Sequence, residues 1–192
     1  MKQWLDNDEL FKSELEQGQA WERWLSRMLT YYGVYNFCPP QRLRKADKSN
    51  ISEFANQKDI VFGRYVSRWI EVKSRNVSFT SAEDFPYDTM FVCTQADWAV
   101  KKPKPTAIAI ISRPTKSVVY IPGGTRPEWK AQRKFDRVRK ISDTFLEAPR
   151  SCVVTSEEFV RWAREQDGLY TDTCRCGAAI SCPSCMRGMD AT

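Results

Sequence analysis

The residues from Lys58 to Arg75 constrain this chain more than any others. They read Lys-Asp-Ile-Val-Phe-Gly-Arg-Tyr-Val-Ser-Arg-Trp-Ile-Glu-Val-Lys-Ser-Arg, two apolar strand-like runs joined by a turn, with Asp59, Glu71 and Lys73 among them. Side chains alternate along a strand, so Glu71 and Lys73 project from one face while Ile70 and Val72 project from the other. Pairing of the two runs as a hairpin brings Asp59 alongside Glu71. The pair offers two hard oxygen ligands for a divalent cation, with an ammonium next to whatever that cation holds.

Glu-x-Lys on a strand is most often a solvated ion pair, and short motifs match by accident. The neighbours argue for more. Ile60, Val61, Phe62, Trp69, Ile70 and Val72 make both strands largely apolar, and a carboxylate among such residues costs desolvation energy unless a cation or partner compensates it. A charged cluster on a mostly buried sheet therefore reads as a site, and its chemistry suits metal-dependent phosphodiester hydrolysis.

Asp59, then Glu71-Val72-Lys73 on the following strand, after a helix carrying Gly18-Gln-Ala-Trp-Glu22 and ending near Tyr32-Gly33, resembles the PD-(D/E)XK nuclease superfamily. That restriction-endonuclease-like group also includes phage exonucleases and Holliday-junction resolvases. The resemblance covers about residues 10 to 125 and rests on order and spacing; Lys58 stands where a proline often precedes the family aspartate. It implies an α/β fold, a restriction-endonuclease-like core whose mixed sheet of about five strands is flanked by helices. It also implies a Mg²⁺- or Mn²⁺-dependent deoxyribonuclease. In that mechanism Asp59 and Glu71, helped by the Val72 carbonyl and by Glu22, hold one or two of these ions. Lys73 orients or deprotonates the attacking water, or stabilises the developing charge.

A length of 192 residues suits one nuclease-like domain over 1–168 with a small metal-binding appendage over 169–192. The net charge of +6 favours a polyanionic partner, here DNA. No apolar run approaches the roughly 20 residues that span a bilayer, and no signal-peptide core follows the first basic residue. The expectation is a soluble cytoplasmic protein without a membrane partner; the small size and appended tail fit a phage or mobile-element origin, hence the host cytoplasm. The chain has no histidine, which excludes histidine general bases and histidine-liganded metals.

Of seven cysteines, four fall in the tail, Cys174-Arg-Cys176 and Cys182-Pro-Ser-Cys185, while Cys38, Cys93 and Cys152 are scattered. This uneven spacing suits one metal cluster in a reducing compartment better than a disulfide framework. The four tail thiolates suit tetrahedral structural Zn²⁺. An iron–sulfur cluster, with Cys38 as an upstream ligand, and a redox dithiol are the alternatives. The scattered thiols read as buried and inert.

Along the rest of the chain, apolar spacing over 8–32 predicts one broken helix or two, interrupted near Gly18. Residues 36–57 read as a loop or short irregular strand. Ser81, followed by Glu83 and Asp84, predicts a helix start. Thr89–Thr94, Thr106–Ser112 and Ser117–Ile121 predict strands, the last two as a hairpin across Arg-Pro-Thr-Lys. Seven basic residues crowd 126–140. They read as a solvated helix face or as a phosphate-binding strip in which Lys130, Arg133, Lys134, Arg137, Arg139 and Lys140 contact DNA. Ser156–Gln166 predicts a capped closing helix.

Two other functional readings stay open on the sequence. One is a non-catalytic DNA-binding protein on a nuclease scaffold, with the basic helix and the tail as binding elements. The other is a structure-specific resolvase of Holliday-junction type, in which a homodimer presents two active sites to a branched substrate.

Overall fold

The computed structural model describes residues 7–40, 57–63, 68–136 and 141–166. The chain opens on α1 (Asn7–Tyr31), one uninterrupted helix. An interior Gly18 costs about 1 kcal/mol of helix propensity, and no atom lies within 4 Å of where its Cβ would stand. Packing by Leu25 and Leu29, both fully buried, outweighs that local penalty, so the expected break does not occur. The helix ends at Gly33, whose φ of +79° permits a left-handed cap. Gly33 N donates to Thr30 O at 3.0 Å and Val34 N to Leu29 O at 2.9 Å, the two bonds of a Schellman motif.

Among the described residues, nine strands form two sheets. The larger is mixed, in the order β1 (Asn36–Phe37), β2 (Ile60–Phe62), β3 (Trp69–Arg75), β5 (Ala107–Ser112), β6 (Val118–Pro122), β9 (Val154–Thr155). All its pairings are antiparallel except β3 with β5, which run parallel from Ile70↔Ala107 to Arg75↔Ser112. The smaller sheet, β4 (Thr89–Thr94), β8 (Ile141–Pro149) and β7 (Lys130–Asp136), is antiparallel. A short helix, α2 (Gln95–Val100), leaves β4 and leads back to β5; α3 (Ser156–Gln166) ends the described chain.

Alternation along the central strands sorts the core into two halves. Ile70, Ala107, Ala109, Ile111 and Tyr120 pack with Leu25 and Leu29 of α1 and Phe159, Val160 and Ala163 of α3. Ile108, Ile110, Val119 and Ile121 pack with Val92, Cys93, Leu146 and Ala148 of the smaller sheet. The mixed sheet is thus covered by helices on one face and by the second sheet on the other. This is an α/β arrangement with more strands than the five expected, because no residue pattern marked β4 as leaving the central sheet to join β7 and β8.

Two local expectations fail for identifiable reasons. The segment after Ser78 forms turns, not a helix: the Asp84 carboxylate takes the amides of Thr80 at 2.8 Å and Ser81 at 2.8 Å. Phe79 and Phe85 are buried, and Pro86 disfavours helical backbone at the residue before it. Within the basic segment, Lys130–Asp136 is the strand β7, not a helix. Its register sets Lys130 opposite Glu147 and Lys134 opposite Asp143, so these two lysines face carboxylates across the ladder, while Arg133 stands opposite Thr144.

Candidate active site

The antiparallel register Ile60↔Ile70 and Val61↔Trp69 places Asp59 opposite Glu71, one step past the last paired residue of β2. The ladder does not continue there. Instead the Asp59 side chain replaces the missing strand: Oδ2 accepts from Val72 N at 2.7 Å. Carbonyls of Trp69 and Arg75 accept from Thr106 N at 2.8 Å and Arg113 N at 2.9 Å, so the odd-numbered residues of β3 turn their backbone groups toward β5. Val72 therefore turns its amide and its carbonyl toward Asp59, where β2 has stopped.

Glu71 and Lys73 share the face that meets the smaller sheet, since their partners Ile108 and Ile110 belong to that half of the core. Glu71 is 3% exposed. Lys73 Nζ lies 2.6 Å from its Oε1, and Lys101 Nζ lies 3.2 Å from its Oε2. The Lys101 approach does not meet hydrogen-bond geometry, and Oε2 is a buried oxygen without a hydrogen-bond partner. The attraction between Lys101 and Oε2 is therefore chiefly ionic. With Asp59 and the Val72 carbonyl, the Glu71 carboxylate offers hard oxygen donors of the kind that suit Mg²⁺ or Mn²⁺.

The electrostatics follow from burial and from the two lysines. Burial, then the charge of Glu71, pushes the Asp59 carboxyl from its ordinary 3.8 up to about 6, against Lys73 and Lys101. Burial also acts to raise Glu71, but Lys73 and Lys101 together outweigh it and hold that carboxyl below its usual range. Burial acts to lower Lys73, and Glu71 and Asp59 overcome it, so its ammonium is held above the ordinary value. Two neighbouring carboxylates thus have their titrations pushed apart, a pattern common at sites that work by charge.

A raised carboxyl means that the folded state binds the proton more tightly than the unfolded chain. The stabilisation contributed by protonated Asp59 is therefore present below about pH 4 and lost as the pH rises toward about 6. Without divalent cation, the stability of the protein relative to Asp59→Asn is expected to fall across this interval and stay level above it. Denaturant titrations of both proteins in chelator between pH 4 and 7.5 measure this; a wild-type stability that rises with pH relative to Asp59→Asn contradicts it.

Glu22 sits buried on α1 in the helical layer. Burial raises the Cys38 thiol, and Glu22 and Asp59 each raise it further, so both carboxylates act on one partly buried thiol between α1 and β2. Among the described residues, no group of three or more Asp, Glu or Cys side chains is gathered as a metal-ligand set. Cys93 and Cys152 are free and buried, as expected. Burial, and next the charge of Glu71, pushes the Cys93 thiol up to about 12. Cys174, Cys176, Cys182 and Cys185, with Arg137, Arg139 and Lys140, lie outside the described residues.

Of the described basic residues, Lys130 and Arg133 are exposed on β7, and Phe135 beside them is 61% exposed. Lys134 is engaged: it pairs with Glu147, whose other oxygen accepts from Thr89 Oγ1 at 3.0 Å. Nearer the carboxylates stands an arginine that the motif did not include. Arg75 lies on the same face of β3 as Lys73, its guanidinium 5.0 Å from the Phe91 ring centroid, and burial and the neighbouring Arg113 both lower its pKa. Lys101 was also missed. Its one local signal is Thr94-Gln-Ala-Asp97, a helix-start pattern in which Thr94 Oγ1 accepts from Asp97 N at 3.0 Å and launches α2 toward the site.

Among the described residues no helix is long and apolar enough to cross a membrane. Compared with protein-family models, with curated proteins and with solved structures, the chain matches none.

Proposed function

We propose that this chain is a metal-dependent DNA nuclease of the PD-(D/E)XK type, built on a restriction-endonuclease-like core. The observation that carries the proposal is the convergence of Asp59, from the end of β2, with Glu71 and Lys73 of β3 through the Val72 amide. The order of elements supports it: a helix bearing Glu22, an antiparallel β1–β2–β3 run bearing the motif, then a strand parallel to β3.

Asp59, Glu71 and the Val72 carbonyl would hold Mg²⁺ or Mn²⁺. Such an ion, when bound, lowers the pKa of water and offsets charge on the phosphoryl group. The remaining work falls to the chain's own side chains. Lys73, held as an ammonium, donates hydrogen bonds and cannot take a proton, so it orients the attacking water and stabilises charge on the phosphate oxygens. Arg75 borders it and Arg113 borders Arg75, adding positive charge for the flanking phosphates. Lys130 and Arg133 extend this charge onto an exposed strand.

The test incubates the purified chain with labelled single-stranded, duplex, flapped and four-way DNA in Mg²⁺ or Mn²⁺, beside Asp59→Asn. The wild type is expected to cut at least one substrate, with activity lost in chelator and reduced about a hundredfold or more in the variant. Cleavage confined to four-way DNA assigns the resolvase form. Metal-independent or undiminished cleavage by Asp59→Asn, or tight DNA binding without cleavage by either protein, removes the proposal; the latter leaves a DNA-binding scaffold.

A further inference from the structure

Glu71 presents a buried carboxylate with a different ammonium group on each oxygen, Lys73 at 2.6 Å and Lys101 at 3.2 Å. The two lysines are held differently. Lys73 shares β3 with Glu71, and its side chain is 29% exposed; Lys101 comes from the loop after α2 and is only 14% exposed. Trp69, two residues before Glu71 on the same face, fixes that loop. Its indole Nε1 donates to Pro103 O at 3.0 Å, its carbonyl accepts from Thr106 N at 2.8 Å, and Lys101 Nζ stands 5.4 Å from its ring centroid. Lys104 is turned away toward the end of α2, donating to Ala99 O at 3.0 Å and to Trp98 O. Lys101 is thus aimed at the carboxylate while Lys104, from the same loop, is spent on the helix end.

Charge balance gives this arrangement a meaning. Asp59 and Glu71 supply two negative charges, and Lys73 and Lys101 supply two positive ones, before any metal arrives. A site that binds two divalent ions needs surplus negative charge; this one has none. One divalent ion already leaves the excess positive charge that a phosphodiester would balance, and a second would meet Lys101 on the Glu71 oxygen it needs.

We propose that Lys101 is a resident cation standing in place of a second metal, so that the site takes one divalent ion on Asp59, Glu71 and the Val72 carbonyl, with Lys101 setting its affinity. This rests on the nuclease proposal, and its test separates the two. Mn²⁺ serves as the probe, because a thiolate cluster in the tail favours softer metals.

Mn²⁺ binding to the full chain is measured by the loss of free-ion electron paramagnetic resonance signal, for wild type, Lys101→Met, Lys101→Arg and Asp59→Asn. Wild type is expected to bind one ion that Asp59→Asn loses. Lys101→Met is expected to bind the first ion about tenfold more tightly and to admit a second, while Lys101→Arg, which keeps the charge, stays within about threefold of wild type. Two ions in wild type, or one ion of unchanged affinity in a folded Lys101→Met, overturns the role of Lys101 and leaves the nuclease proposal standing. Mn²⁺ binding that is absent throughout, or indifferent to Asp59→Asn, overturns both. A Lys101→Met chain that fails to fold passes the decision to the wild-type ion count and to Lys101→Arg, where a tenfold gain in affinity contradicts the proposal.

Discussion

Lys73→Ala is expected to reduce metal-dependent DNA cleavage by about a hundredfold or more, the usual range when a positioned group acting on the transition state is removed. The structure also says why the variant should remain folded. Removing one partner of a buried ion pair commonly costs about 3–5 kcal/mol, because the other charge is left uncompensated. Glu71 is not left so: Lys101 still stands 3.2 Å from its second oxygen, and Lys73 is partly exposed. DNA binding in chelator should persist, since Arg75, Arg113, Lys130 and Arg133 are untouched. Single-turnover cleavage, thermal melting and filter binding on the same preparation decide the matter. Cleavage within about threefold of wild type would show that the motif lysine has no chemical role.

Phe159→Ala is expected to cost about 3–5 kcal/mol of stability, a fall of about 10 °C or more in Tm for a chain of this size. Phe159 is the largest of the α3 residues, with Val160 and Ala163, that pack in the core on the central sheet. Its ring stacks on Tyr120 with centroids 4.0 Å apart and planes at 7°, and meets Phe62 of β2 edge-on at 5.7 Å. It also lines a partly open pocket of about 400 Å³ with Thr106, Pro122, Val154 and Trp162, so truncation deepens that pocket into the core. Truncating Phe159 acts at β2, the strand whose end carries Asp59, so loss of activity should accompany loss of structure. Denaturant unfolding measures the first; a variant as stable as wild type would mean that α3 contributes little to the core.

Period-two alternation through Ile60–Phe62 and Trp69–Arg75, on strands only about ten residues apart, was enough to place Asp59 opposite Glu71 and to put Glu71 and Lys73 on one face. The hairpin of β5 and β6 and the helix α3 were legible for the same reason. In each, the apolar repeat and the turn or cap lie within one short stretch, and local geometry leaves little choice. The basic segment had no such repeat, and its conformation depended on β8, whose carboxylates face it across the ladder.

The candidate site divides along the same line. Its motif carboxylates and Lys73 are near neighbours in sequence and could be read from strand periodicity. Lys101 lies thirty residues beyond Glu71 and reaches it after the chain has left the central sheet, built β4 and α2, and returned to pair β5 parallel with β3. Alternation along a strand fixes which side chains share a face, because that is a property of consecutive backbone units. Which distant side chain neutralises a buried oxygen depends on the crossover path and on the packing of two sheets, and those are settled by burial summed over the whole core, which leaves no periodic trace in the residues concerned.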